Sequence, residues 1–138
     1  MLDENAVVKA LCQHLERNGY HILQRCSTTE QGIDIIALRS PEPGRLLIEA
    51  KGGTSSREGS VRFEKGFSRT QVFDRVAKAF YTTASLHATK RDSGDHVGMA
   101  FPDTPAFRDY LKRIKSVTDA LGFSVFLVRE DLSVVKLG

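Results

Sequence analysis

Two short apolar runs in this chain carry charge where a β-strand ordinarily carries none. The first, Gly32-Ile33-Asp34-Ile35-Ile36-Ala37, holds an aspartate between isoleucines. The second, Leu46-Leu47-Ile48-Glu49-Ala50-Lys51-Gly52, ends in a glutamate and a lysine two residues apart. Charged residues are depleted in strands, and burying one without a partner costs on the order of several kcal/mol. Side chains at i and i+2 of a strand leave the same face, so Glu49 and Lys51 stand side by side. Between the runs lies Ser40-Pro41-Glu42-Pro43-Gly44, a strong turn signal, so the two are expected to pair as a hairpin. Any fold for this chain must give three charges on adjacent strands a partner or a use.

The flanking sequence predicts helices and further strands. A first helix is expected over residues 4–18, with Asp3 as N-cap, Gly19 past its end and an apolar stripe of Val7, Val8, Leu11 and Leu15. A strand follows near residues 21–25, then the two charged strands. Residues 52–66 read as a loop rich in glycine, serine and charge. A second helix is expected from about Ser68 to Leu86, burying Val72, Val76, Ala79 and Phe80. A strand at 97–101 leads to Pro102-Asp103-Thr104-Pro105, which opens a third helix ending at Gly122. Strands at 123–128 and 133–137 complete the chain. The expected class is α/β: a mixed central β-sheet flanked by helices, in the order αβββαβαββ.

At 138 residues the chain fits a single domain spanning 1–138, with a proper core. No apolar run approaches the roughly 20 residues that span a bilayer, and the start of the chain lacks a signal-peptide pattern. No membrane association and a cytoplasmic location are therefore expected. Cys12 and Cys26 make no disulfide framework, and no Cys/His cluster suggests zinc. His14, His21, His87 and His96 are scattered without metal-ligand spacing. The net charge of +3 permits a polyanionic partner without requiring one. Its distribution is more telling: residues 51–78 hold seven basic side chains against three acidic ones.

Paired carboxylates and a lysine on adjacent strands suit phosphodiester hydrolysis. That reaction needs a metal to polarise the phosphoryl oxygen and to supply hydroxide near neutral pH. Magnesium prefers hard oxygen ligands, takes one or two protein carboxylates and keeps several waters. Asp34 and Glu49 could supply the carboxylates, and the backbone carbonyl of Ala50 a further ligand. Lys51 could orient the attacking water and offset phosphate charge. The cofactor expected is Mg²⁺, with Mn²⁺ as a substitute. The competing reading of the same residues is a structural Asp/Glu/Lys cluster closed by a salt bridge.

Asp34, fourteen intervening residues and then Glu49-Ala50-Lys51 resemble the motif of the PD-(D/E)xK, or restriction endonuclease-like, nuclease superfamily. The order of a helix, a three-stranded meander, a helix and a further strand resembles its core over residues 3–128. The eponymous proline is absent, since Ile33 precedes Asp34. Within the superfamily the start of the chain looks most like archaeal Holliday-junction resolvases and Mrr-like restriction nucleases, whose first helix carries an acidic residue that Glu4 matches. Glu4 shares the face of Val7, Val8, Leu11 and Leu15, which orients it towards the sheet; Glu16 falls off that face. Its other reading is a carboxylate complementing the helix dipole. Gln71 corresponds to a glutamine that follows ExK in many of these nucleases, near the phosphate or the lysine. Ser68-Arg69-Thr70-Gln71 reads equally as a capping box.

The basic loop after ExK suggests nucleic-acid contact. Arg57, Arg62 and Lys65, with Arg69 and Thr70 at the next helix start, could neutralise phosphates without reading sequence. Phe63 and Phe67 lie among these charges, Phe67 as an expected anchor of the second helix. A merely solvated surface loop is the alternative. What the resemblance implies is a metal-dependent endodeoxyribonuclease acting on DNA, any strong specificity coming from structure-selective binding, a homodimer or a protein partner. A catalytically silent nuclease-like domain that binds DNA or protein is the runner-up. A plain α/β interaction protein is the third reading.

Overall fold

The computed structural model describes residues 1–26, 32–54, 66–89, 91–92 and 94–137. Its elements are α1 (Glu4–Arg17), β1 (His21–Arg25), β2 (Ile35–Leu38), β3 (Arg45–Ala50), α2 (Arg69–Thr89), β4 (His96–Pro102), α3 (Pro105–Arg113), α4 (Lys115–Leu121), β5 (Ser124–Val128) and β6 (Val134–Leu137). The six strands form one mixed sheet in the order β1-β2-β3-β4-β5-β6. The β1–β2, β2–β3 and β5–β6 pairs are antiparallel, while β3–β4 and β4–β5 are parallel. An α/β chain with its central sheet flanked by helices is thus what the sequence led us to expect.

Local chemistry explains the element ends. The Asp3 carboxylate accepts the Ala6 N–H at 2.8 Å, capping α1 as its position in the sequence implied. Thr104 does the same for α3, accepting the Phe107 N–H at 3.2 Å, with Pro105 at the start of the helix. The expected single third helix is instead two. At Ile114 (φ −112°, ψ 10°) the chain leaves helical geometry, and its N–H tightens onto the Leu111 carbonyl at 3.2 Å. Phe107, Leu111 and Ile114 keep the i, i+4, i+7 spacing of one helical face and pack into the same cluster, so the apolar periodicity runs through the break without marking it. Gly122, at φ +72°, closes α4 in the left-handed conformation.

The sheet is covered on both faces. Val7, Val8, Leu11 and Leu15 of α1, all buried, pack on Ile35, Ala37, Leu46, Ile48 and Ala50. On the other face Val72, Val76 and Ala79 of α2 meet Met99, Phe101, Val125 and Leu127. Leu47 turns to that second face with Leu86, Val97 and Phe123. The alternation along β3 is the period of two expected of a strand buried on both sides. Each large side chain fully withdrawn from water contributes about 1.5–3 kcal/mol. Cys12 and Cys26 are buried thiols that form no disulfide. Among the described residues no helix is long and apolar enough to cross a membrane.

Candidate active site

Glu49 is the penultimate residue of β3, and Lys51 follows the strand's last residue. Asp34 is not within a strand, as its apolar neighbours suggested, but directly precedes β2. Ile35 pairs with Ile48, so continuing the antiparallel register by one step sets Asp34 opposite Glu49. Both side chains leave the sheet on the face covered by α2, because Ile36 and Leu47, two positions on in each strand, belong to the cluster on that face.

Asp34 is only 7% exposed. Its Oδ2 accepts the Ala50 N–H at 2.8 Å, and its backbone carbonyl accepts the Cys26 N–H at 2.9 Å. The carboxylate therefore completes the ladder at the point where β2 has not yet begun. Ala50, fully buried, is held by this bond. The Lys51 N–H reaches the Ala100 carbonyl at 2.9 Å and ties the strand end to β4.

Glu49 is pushed up to about 8. Burial is the largest cause, followed by its hydrogen bond to the Asp34 carboxyl group and that group's negative charge; Lys51 pulls the other way and Glu4 adds to the rise. At neutral pH the pair therefore holds a proton between two carboxyl groups. Glu4, the first residue of α1, is raised by burial and by Asp34, while Lys51 and Arg75 lower it and Asp3 raises it slightly. Glu4, Asp34, Glu49 and Lys51 thus share one electrostatic neighbourhood. Gly52 makes this approach feasible: a methyl group there would strike the backbone of Asp3 and Glu4. Asp34 and Glu49 open into a pocket of about 230 Å³ walled by Ile33, Thr82 and Leu86. A larger apolar cleft of about 520 Å³ lies between Phe73, Tyr81 and Ile114, away from these carboxylates.

Among the described residues no group of three or more His, Cys, Asp and Glu side chains is arranged to hold a metal ion. A magnesium site needs fewer. Two carboxylates, a backbone carbonyl and retained waters satisfy its preference for oxygen, and a pair sharing a proton offers negative charge that a dication would take up in its place. The donor set of Asp34, Glu49 and the Ala50 carbonyl fits the ion in chemistry.

Gln71 forms the capping box that its sequence allows. The Ser68 N–H donates to Gln71 Oε1 at 2.9 Å, and the Gln71 N–H donates to Ser68 Oγ at 3.3 Å. Arg69 turns to α3, paired with Asp109 and lying over the Tyr110 ring. Thr70 is exposed in the first turn of α2. Arg57, Arg62, Lys65 and Phe63 lie outside the described residues. Phe67 packs beside the α2 cluster, as an anchor should. Sequence reasoning gave Arg75 and Thr82 no role, although both lie on the flank of α2 that begins at Gln71. No protein-family model matches the chain, and no curated protein or solved structure matches it either.

Proposed function

We propose that this protein is a Mg²⁺-dependent endodeoxyribonuclease of the PD-(D/E)xK type, with Mn²⁺ able to substitute, hydrolysing DNA phosphodiester bonds. The observation that carries the reading is the meeting of the Asp34 and Glu49 carboxyl groups across β2–β3, with Lys51 on the same face. A structural salt bridge would neutralise these charges internally. Here burial and repulsion leave Glu49 protonated near neutral pH beside a lysine, an arrangement with unused capacity for positive charge.

The roles follow from position. Asp34, fixed by the Ala50 N–H, presents its second oxygen without rotating. Asp34 and Glu49 would hold the ion, Glu49 as its carboxylate, having given its proton to solvent. Lys51 contributes positive charge towards the phosphate and a donor for the attacking water. Glu4, in the same electrostatic neighbourhood, would accept a hydrogen bond from that water. A bound magnesium ion supplies Lewis acidity to the phosphoryl oxygen and lowers the pKa of water. The backbone N–H groups at the start of α2 favour a phosphate there. A second copy of the chain, or a partner protein, would address the opposite strand and add selectivity.

The test is incubation with supercoiled, linear and four-way-junction DNA, with and without Mg²⁺ or Mn²⁺, beside Asp34→Ala and Lys51→Ala. Metal-dependent cutting abolished in both variants is the expected result. Binding without cutting by the wild type would point to a silent nuclease-like module.

A further inference from the structure

Arg75 is the basic side chain that the fold brings to this site and that the motif does not include. The Gly53 N–H donates to the Leu2 carbonyl at 2.8 Å, and the Phe67 N–H donates to the Gly53 carbonyl at 2.9 Å. These bonds pin Phe67 beside the end of the Glu49-Ala50-Lys51 segment and the start of α1. The Arg75 guanidinium lies over the Phe67 ring, 4.9 Å from its centroid. Arg75 is one helical turn beyond Gln71, on the flank that continues to Thr82 and the pocket holding Asp34 and Glu49.

Several arginines of this fold are tied to carboxylates. Arg39 is tied to Glu42, Arg45 to Asp95, Arg69 to Asp109 and Arg108 to Asp103, each within 3.2 Å. Among the described residues Arg75 has no such carboxylate, although its charge is felt at Glu4. A guanidinium stacked on a ring gives up one flat face and keeps its N–H fork at the edge, already oriented. That fork matches the non-bridging oxygens of a phosphate.

We infer that Arg75, stacked on Phe67, contacts a backbone phosphate of DNA beside Lys51. The inference rests on the reading of this site as one that handles DNA. Phosphate contact and hydrolysis are separate properties, and the experiment reads them separately. A fluorescently labelled DNA duplex is titrated with the intact protein in Ca²⁺ over a series of salt concentrations, using wild type, Arg75→Ala, Arg75→Lys and the remote control Lys112→Ala. Thermal unfolding of each variant is recorded in parallel.

The expected result is that Arg75→Ala binds roughly tenfold more weakly at low salt, and that its slope of log affinity against log salt falls by about one. Arg75→Lys restores the slope but not the full affinity, since a point charge replaces a fork. Lys112→Ala leaves both near wild type. A purely structural arginine would lower the melting temperature without changing the slope. An Arg75→Ala variant with the wild-type slope overturns the inference, and cutting that is still lost in the Asp34 variant would then leave the nuclease reading standing. A reduced slope in a protein that never cuts upholds the phosphate contact and removes the hydrolysis. A wild type that does not bind the duplex overturns the phosphate contact, while metal-dependent cutting of any of the three DNA forms would still uphold the nuclease reading.

Discussion

The Asp34 carboxylate accepts the Ala50 N–H at 2.8 Å, so one side chain both completes a β-ladder and forms half of a carboxyl pair. The two jobs separate on substitution. Asp34→Asn keeps an oxygen for Ala50 and should unfold at nearly the wild-type urea concentration, while losing metal-dependent cutting. Asp34→Ala leaves a buried N–H unsatisfied and should cost about 1–3 kcal/mol more, read from the shift in the denaturation midpoint.

Glu49 offers a second separation. Its raised pKa means that the metal-free protein at neutral pH contains the protonated form, which glutamine imitates. Glu49→Gln should therefore match the wild type in stability without metal. Mg²⁺ should raise the melting temperature of the wild type, by an amount equivalent to about 2.7 kcal/mol at a hundredfold excess over Kd, and leave Glu49→Gln unmoved. A variant that still responds to Mg²⁺ would remove Glu49 from the ion's ligands.

At the opposite end of the β3–β4 pair, Asp95 binds the Arg45 N–H at 2.7 Å, the Arg45 guanidinium at 2.7 Å and the Asp92 N–H at 2.9 Å. Burial pushes Asp95 up, but the hydrogen bonds from Arg45 and the Asp92 N–H outweigh it and hold the group near 2, below its usual 3.8. A folded-state value below the unfolded one stabilises fully above pH 3.8 and is lost as the pH falls towards 2. Wild type should lose about 2 kcal/mol over that window from this group. Asp95→Asn should be less stable at neutral pH and flatter between pH 4 and 2, as followed by urea unfolding at each pH.

Gly52 marks where the strand end passes beneath α1. Because the obstruction to a Cβ is backbone rather than a flexible side chain, Gly52→Ala should cost about 1–3 kcal/mol. It should also reduce cutting beyond what the stability loss explains, since it moves Glu4 away from Lys51. Gly94→Ala is a contrasting control, strained by its φ of +88° but remote from the carboxylates.

Much of this was legible in one dimension. Asp3 before an apolar stripe gave the first helix, and the isoleucines around Asp34 gave a buried strand context, although the strand begins one residue after the aspartate. The β2–β3 hairpin followed from the Pro41 and Gly44 turn. What escaped were relations that exist only across the fold. The break at Ile114 was hidden because Phe107, Leu111 and Ile114 keep helical spacing straight through it. Arg75 is one basic residue among seven in its stretch until the Phe67–Gly53 hydrogen bond carries it to the end of β3. Gln71 satisfied both readings of its position in sequence, and its side chain was found in the cap.

The spatial order of the six strands repeats their order along the chain. Each strand is laid beside its immediate predecessor, which suits assembly from the N-terminal end during synthesis, although the parallel β3–β4 pairing, Leu46 with His96, must wait for α2 to be made. The two carboxyl groups belong to the β2–β3 pair, which is complete in the chain before α2, whose Thr82 and Leu86 wall their pocket. A nascent chain thus acquires its acidic pair while it is still open to water, and the environment that raises Glu49 is added only when the second helix docks.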